Sequence, residues 1–454
     1  MAIDNKRSAN IKLKEITVSS EKQPDKYYSF ELSKDVPFVS FSNNLNIENE
    51  NLIYLKVHND KFLPWIELKF RDKSNRMIDE LFPTDNSKVS ILIQSQNENY
   101  WPIRMDFKIT SFNPSNKKSG ENNDIVYSAL GVLDVDYLFY RNFWSFEGTS
   151  YKTLDKISKE SNLGFSSNFS NTNDSMVWIN PGLSFLEFVK DITEHSFKSM
   201  DTFLFSFVDF YYNLNFIDVE NQLKENISEQ KTFLNEVTPR LQKTNNSESK
   251  EVPLKLTNHP DYLGTSLFID KYNIDNSSTK TNLENGYSVI NQHYNITNNE
   301  YVFKDIETLS DTGNNDQIVL KDQPNQNNNL ITNSKNKEYL GKIDEDNCHK
   351  NYLIAETQNK LNLDFSQKLK MVISLNQPNW GLYRFQKLNL ELYKLTEVDA
   401  DENAPEDNSN KLNRKLSGEW LITSINYVYY KGKGTTQTIT LIKRELSANY
   451  NKRK

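Results

Sequence analysis

The stretch that decides the fold is Trp420-Leu-Ile-Thr-Ser-Ile-Asn-Tyr427, followed by Lys431-Gly-Lys-Gly434 and a return from Thr436 to Ile442. In an extended chain, successive side chains point to opposite faces. Trp420, Ile422, Ser424 and Asn426 then share one face, and Leu421, Thr423, Ile425 and Tyr427 the other. Gly432 and Gly434 supply the positive φ angles that a tight reversal needs. The stretch reads as a β-hairpin in a barrel, with Trp420, Ile422, Ile425, Val428, Ile439 and Leu441 as its apolar members and one face looking inward.

The same period recurs upstream. Val89-Ser-Ile91-Leu-Ile93 and Met105-Asp-Phe107-Lys-Ile109 read as strands joined through Asn97-Glu-Asn99, and Leu388-Asn-Leu390-Glu-Leu392 alternates cleanly. Ile125, Tyr127 and Ala129 begin a further strand-like run that continues to Tyr140. Two helices interrupt this pattern. Ser150 can cap one carrying Leu154 and Ile157, with Gly164 as its left-handed end. Ser184 can cap another, with Phe185, Phe188, Val189 and Ile192 on one stripe and Glu187 completing a capping box. The fold class is mainly β with minor α. Four stretches read as loops: 113–124, 240–251, the Asn-rich 311–337 and the acidic 397–411, a solvated connection between two strands.

The length of 454 residues suggests about three domains. Apolar residues make up 36% with Tyr counted, about 34% if Gly replaces it, against the ~45–50% usual for that set. An aromatic content of 12% nevertheless argues for a folded core. With 60 Asn and seven Ala, the bias reports an AT-rich genome rather than a task. A net charge of −7 argues against a surface devoted to nucleic acid. Cys348 alone cannot form an intramolecular disulfide. No secretory h-region opens the chain, and Ser206, Asp209, Asn213 and Asn215 break its longest apolar stretch, Phe203 to Val219. The expectation is a soluble protein made in a cytoplasm, with no membrane partner.

No chemistry emerges from motifs. The five histidines are at least 34 residues apart, no metal-ligand spacing appears, and no cofactor is expected. Cys348-His349 reads as a polar strand-edge dipeptide, since a nucleophile and its base normally meet through the fold. Gly432-Lys-Gly434 opens no helix and is no phosphate loop. Pro181-Gly-Leu-Ser184-Phe fails the last position of a nucleophile elbow. Phe203, Phe205, Phe207, Phe210, Tyr211 and Tyr212 could stack sugars or bases, but alternation makes them a core strand first. Two carboxylates placed by a fold suffice for glycoside hydrolysis, so sequence leaves that open while offering nothing in its favour. No catalytic, cofactor or metal residue is nominated, partner-interface residues stay unassigned, and the reading is no enzyme.

Several blocks, read in order, resemble the baseplate hub protein of contractile-tailed, T-even-like bacteriophages. They are Pro64-Trp-Ile-Glu-Leu-Lys-Phe with Leu81-Phe-Pro-Thr-Asp-Asn86 and Pro102-Ile-Arg-Met-Asp-Phe; Gly148-Thr-Ser-Tyr151, Trp178 and Val208-Asp-Phe-Tyr-Tyr; Leu256-Thr-Asn258 with Gly264-Thr-Ser-Leu-Phe-Ile269; His349-Lys-Asn-Tyr352 with Gln358-Asn359; and Tyr383-Arg-Phe385 with Leu416-Ser-Gly-Glu-Trp-Leu-Ile. They run from about residue 60 to 446. Tyr427 stands where many such hairpins carry histidine, and 311–337 reads as an insertion.

The resemblance implies two tail-tube-like β-barrel domains interleaved in sequence, plus an inserted domain. The first barrel would use 1–125 and 201–245, the second 126–200 and 350–454, and the insertion 246–349 with its Asn-rich loop. It implies a homotrimeric, pseudo-hexameric ring joining a six-fold tail tube to a three-fold central spike, with DNA passing through without specific binding. Implied partners are the spike protein, with or without a lysozyme domain, the tube or tube-initiator protein, baseplate wedge proteins and the tape measure. The implied location is the virion tail baseplate, assembled in the host cytoplasm. No β-helical or lysozyme-like segment follows residue 446, so spike functions are expected on a separate chain. The alternatives are the hub of a related bacterial contractile injection or secretion machine and a cell-surface glycan-binding or hydrolytic protein.

Overall fold

The computed structural model describes residues 37–41, 46–47, 50–72, 77, 87–93, 103–116, 125–200, 202–224, 255–275, 288–307, 317–319, 336–343, 347–366, 369–394, 412–413, 415–443 and 445–447. The hairpin forms from Gly418–Tyr430 and Gly434–Lys443, with φ of +79° at Gly432 and +77° at Gly434. One feature differs from simple alternation. Ile422 pairs with Leu441 and Ser424 with Thr440, which leaves Thr423 as a bulge. The extra residue resets the faces, so Trp420, Ile422, Ile425 and Tyr427 all join one core while Leu421 and Ile442 join another. Trp420, Leu421 and Ile422 are all buried, so both faces of the strand look inward there, not one. The hairpin lies inside a sheet covered on both sides.

That sheet has thirteen strands. From one edge the order is Lys271–Asp275, Leu369–Leu375, Gly434–Lys443, Gly418–Tyr430, Leu52–Asn59, Trp65–Asp72, Ile125–Leu133, Ile103–Asn116, Lys88–Ile93, Phe38–Phe41 and Asn46–Ile47. Lys387–Glu391 branches from Gly418–Tyr430 and takes Lys255–Thr257 in parallel. An antiparallel seam, residues 54–59 against 425–430, joins the N-terminal strands to the C-terminal ones. Among the described residues neither half closes on itself, because each gives its last strand to the seam. The fold is mainly β with minor α, and the described residues form no two separate closed barrels.

Ile125–Leu133 pairs between Trp65–Asp72 and Ile103–Asn116, although a boundary at 125/126 assigns it to the C-terminal half. It ends before helix α1 (Asp136–Phe139) instead of running on to Tyr140. Asn113–Asn116 extend their strand instead of opening a loop. The Asn97-Glu-Asn99 link and 240–251 lie outside the described residues. So does 395–411, but its flanks meet in a bridge between Tyr393 and Leu412. Within 246–349, Lys255–Thr257 and Lys271–Asp275 pair into the large sheet, whereas Ser288–Asn295, Glu300–Glu307 and Asn336–Ile343 form a sheet of their own. In the Asn-rich segment, Gln317–Val319 pairs with Glu445–Ser447.

Helix α2 spans Ser150–Glu160, but Thr149 caps it by accepting from the Lys152 N–H. Ser150 instead donates its N–H and hydroxyl to Asp174, at 2.9 and 2.6 Å. Asn162, not Gly164, takes the left-handed turn. Gly164 opens the strand Gly164–Ser166, where a Cβ would run into the Asn213 side chain. Helix α3 (Phe185–His195) carries the capping box in full: Ser184 accepts from the Glu187 N–H, and Glu187 accepts from the Ser184 N–H. Ser184→Ala is expected to cost about 1–2 kcal/mol. An unchanged urea midpoint would contradict that role for the cap. Helices α4 (Val219–Lys224) and α5 (Tyr352–Ser366) complete the set used below.

Candidate functional site

Most conspicuous polar side chains are consumed inside the fold. Gln358 on α5 donates to the carbonyls of Ser199, Met200 and Thr202 at 2.8–2.9 Å. Its neighbour Asn359 donates to Glu194 and Ser196 carbonyls and accepts from the Leu204 N–H. Asn359 thus closes the end of α3, whose last carbonyls lack helical partners, while Gln358 holds the loop that follows. Asp209, fully buried, accepts from the N–H groups of Tyr211 and Asn213 and from the side-chain amides of Asn213 and Asn215. Burial raises its pKa against those bonds.

Arg384 is the least expected of these groups. Its guanidinium donates to the carbonyls of Thr423 and Lys61, both at 2.6 Å, and of Asp60 at 3.1 Å. It lies 4.7 Å over the Phe207 ring and 5.4 Å from those of Phe205 and Phe385. Burial pushes its pKa down to about 9. One side chain thus ties the Thr423 bulge to the loop that follows Leu52–Asn59.

Beside that loop opens a cleft of about 520 Å³ between α3, α5 and the strand Leu204–Val208. Asp60, Glu194 and Glu356 line it together with Lys61, Lys190 and Lys360 and with Phe62, Phe203 and Phe205. The volume is in the range of small-molecule pockets. The His58 imidazole 3.8 Å away and the Trp65 indole N–H at 2.9 Å hold the Asp60 pKa down at about 2, against burial. Burial raises that of Glu194, helped by the nearby Glu356 and Asp191 carboxylates. The hydroxyls here are occupied: Thr193 and Ser206 bond each other at 2.6 Å, and Thr193 donates to the Val189 carbonyl. The cleft combines mixed charge with aromatic side chains, and its two hydroxyls are not activated as nucleophiles.

Next to Glu194 in sequence, His195 stacks on Tyr352 with ring centroids 4.0 Å apart. Its Nδ1 lies 3.3 Å from the Asp191 carboxylate and its Nε2 3.7 Å from Glu356. Burial works against the charged ring, but the hydrogen bond to Asp191 and the two carboxylates raise its pKa above the usual value. A raised histidine stabilises the fold below its unfolded pKa, and that stability is lost as pH rises through the folded value. His195→Gln is therefore expected to lose more stability at about pH 5 than at about pH 9, read from urea unfolding at both. An equal loss at the two would contradict the charged pairing.

The sequence candidates fall as follows. Cys348-His349 sits in the turn before α5, not at a strand edge, and His349 Nε2 lies 3.0 Å from the His195 carbonyl oxygen. Gly432-Lys-Gly434 is the hairpin turn and Ser184 the helix cap. Phe203 and Phe207 are core, Phe205 half-buried against them. Among the described residues, no group of three or more His, Cys, Asp or Glu could hold a metal ion, and no helix is long and apolar enough to cross a membrane. Sequence inspection missed the cleft, whose lining comes from four separated segments. Its traces in the sequence were Asn359 of the Gln358-Asn359 block and the aromatic pair Phe203 and Phe205.

No family model matches the chain, and no curated protein is similar to it. Among solved structures, the 43 kDa tail protein of prophage MuSo2 from Shewanella oneidensis superposes with a TM-score of 0.50 at 9% identity, over 90% of this chain and 98% of that one. The fold is similar to that of a prophage tail protein. A tail protein from Neisseria meningitidis MC58 gives 0.49 at 9% identity, over 90% of this chain and 96% of that one. An Escherichia coli component of the type VI secretion system, described as structurally similar to T4 tail proteins, gives 0.41 at 10%, over 87% and 73%.

Proposed function

We propose that this chain is a structural, non-catalytic hub subunit on the axis of a tail-tube-like contractile injection machine. The carrying observation is the fold similarity to the Shewanella prophage tail protein, which spans nearly the whole of both chains. The reading is of the machine class, phage or bacterial: the similar protein is the tail protein of a Shewanella prophage, and nothing in that similarity ties this chain to a T-even-like virion.

In this reading three copies form a ring, and the two halves of the large sheet act as tube-like units that meet at the 54–59/425–430 seam. The first unit takes 1–125 and 201–245 with the strand Ile125–Leu133 added; the second takes the rest of 126–200 with 350–454. One side of the ring meets the tube or its initiator and the other the spike, with wedge-type proteins outside and the tape measure on the axis. In a phage version the location is the tail baseplate and DNA crosses the bore. A net charge of −7 supports a bore that does not retain phosphate.

Deleting the gene in its native background is expected to abolish assembled contractile particles in electron micrographs, and a plasmid copy is expected to restore them. Normal particles in the deletion strain would overturn the hub reading. Clearing of a peptidoglycan suspension by the purified protein, lost on neutralising one Asp or Glu, would overturn its non-catalytic part.

A further inference from the structure

The charges that line the cleft between α3 and α5 are separated along both helices. Glu194 on α3 and Glu356 on α5 belong to the group of carboxylates around His195. The imidazole Nε2 is 3.7 Å from Glu356 and its Nδ1 3.3 Å from Asp191. The same Glu356 and Asp191 carboxylates act electrostatically on Glu194. Three carboxylates around one imidazole leave net negative charge there even when the ring is protonated. Lys190 on α3 and Lys360 on α5 each stand four residues, one helical turn, from Glu194 and Glu356. The Lys190 ammonium lies 5.8 Å from the centroid of the Phe62 ring, which lines the cleft. Among the described residues, Lys190, Lys360 and Glu194 are not ion-paired.

The other charged groups of the lining are engaged elsewhere. Asp60 accepts from the Trp65 indole N–H at 2.9 Å and faces His58 at 3.8 Å, and the Lys61 ammonium lies 4.5 Å over the Trp65 ring. That leaves two glutamates, two lysines and the half-buried Phe62, Phe205 and Leu363 to meet a ligand. A matching molecule carries one positive and one negative end on a short apolar body. Four residues of helix rise about 6 Å. An extended dipeptide spans about 7 Å, at ~3.3–3.6 Å per residue. Its free ammonium and carboxylate therefore match the spacing of Glu and Lys on each helix, and its two side chains meet the apolar lining.

We infer that the cleft binds a short free peptide with apolar side chains, its ammonium at Glu194 and Glu356 and its carboxylate at Lys190 and Lys360. In isothermal titration calorimetry of the full chain at neutral pH, leucyl-phenylalanine is expected to bind. Acetylating its N-terminus and amidating its C-terminus are each expected to weaken binding about fivefold, the worth of one exposed ion pair. Glu194→Gln with Glu356→Gln is expected to abolish the acetylation effect and keep the amidation effect, and Lys190→Met with Lys360→Met the reverse. All four side chains are exposed, so circular dichroism should be unchanged. Glu194→Gln or Lys190→Met alone replaces a double variant that fails to fold. No heat of binding from the free dipeptide up to its solubility limit overturns the site. So does equal binding of the doubly blocked dipeptide, which would mark a groove for internal segments of a protein, or loss of both effects in both double variants. The hub reading stands in each of those cases, because it rests on the fold and not on the cleft.

Discussion

Trp420→Ala is expected to lose about 3–5 kcal/mol, the usual cost of emptying a large aromatic site in a core. Trp420 is 1% exposed, its indole N–H donates to the Leu416 carbonyl at 2.8 Å, and its strand neighbour Leu388 is fully buried. A domain holds only ~5–15 kcal/mol in total, so folding and assembly should fail together. The competing idea makes Trp420 a contact for spike or tube, in which case the variant stays folded and trimeric while losing its partner. Near-UV circular dichroism with a mass measurement separates the two. A folded Trp420→Ala trimer would sink the core assignment.

Arg384→Ala is the second large effect. Three carbonyls would lose their donor, and a group left unpaired costs up to ~1–3 kcal/mol where water cannot replace the donor, less at the exposed Asp60 and Lys61. Relief from burying a charge offsets part of that. The net loss is expected to be on the order of 3 kcal/mol, read as a drop in urea midpoint without a change in slope. Arg384→Lys is the sharper variant, because a single ammonium cannot reach Thr423, Lys61 and Asp60 carbonyls at once. Most of the loss should persist in it. Near-wild-type stability of Arg384→Lys would mean that the positive charge over Phe207, and not the fork of hydrogen bonds, holds the site.

These two residues also mark how far the sequence could be read. Local signals were legible: the Gly432/Gly434 reversal, the Ser184–Glu187 box and the core strand through Phe203 and Phe207 follow from spacing alone. The Thr423 bulge was not, because one added residue changes every face beyond it without altering composition. Thr149 and Ser150 are both good caps, and only the buried Asp174, 24 positions on, decides between them. Helix α5 hid because its inward side spends Thr357, Gln358 and Asn359 on hydrogen bonds, which erases the apolar stripe that announces a helix. The sheet of Ser288–Asn295, Glu300–Glu307 and Asn336–Ile343 fails the same rule, with Asn291 and His293 buried and Phe303 exposed. The cleft and the Arg384 fork join segments up to 324 residues apart, a distance no local pattern spans.

The most direct test of the hub reading is single-particle electron microscopy of the purified full-length chain. The account predicts a three-copy ring of 53.1 kDa subunits around an open axial channel, with two lobes per subunit. A monomer at all concentrations, or an assembly with no opening along its symmetry axis, would contradict it.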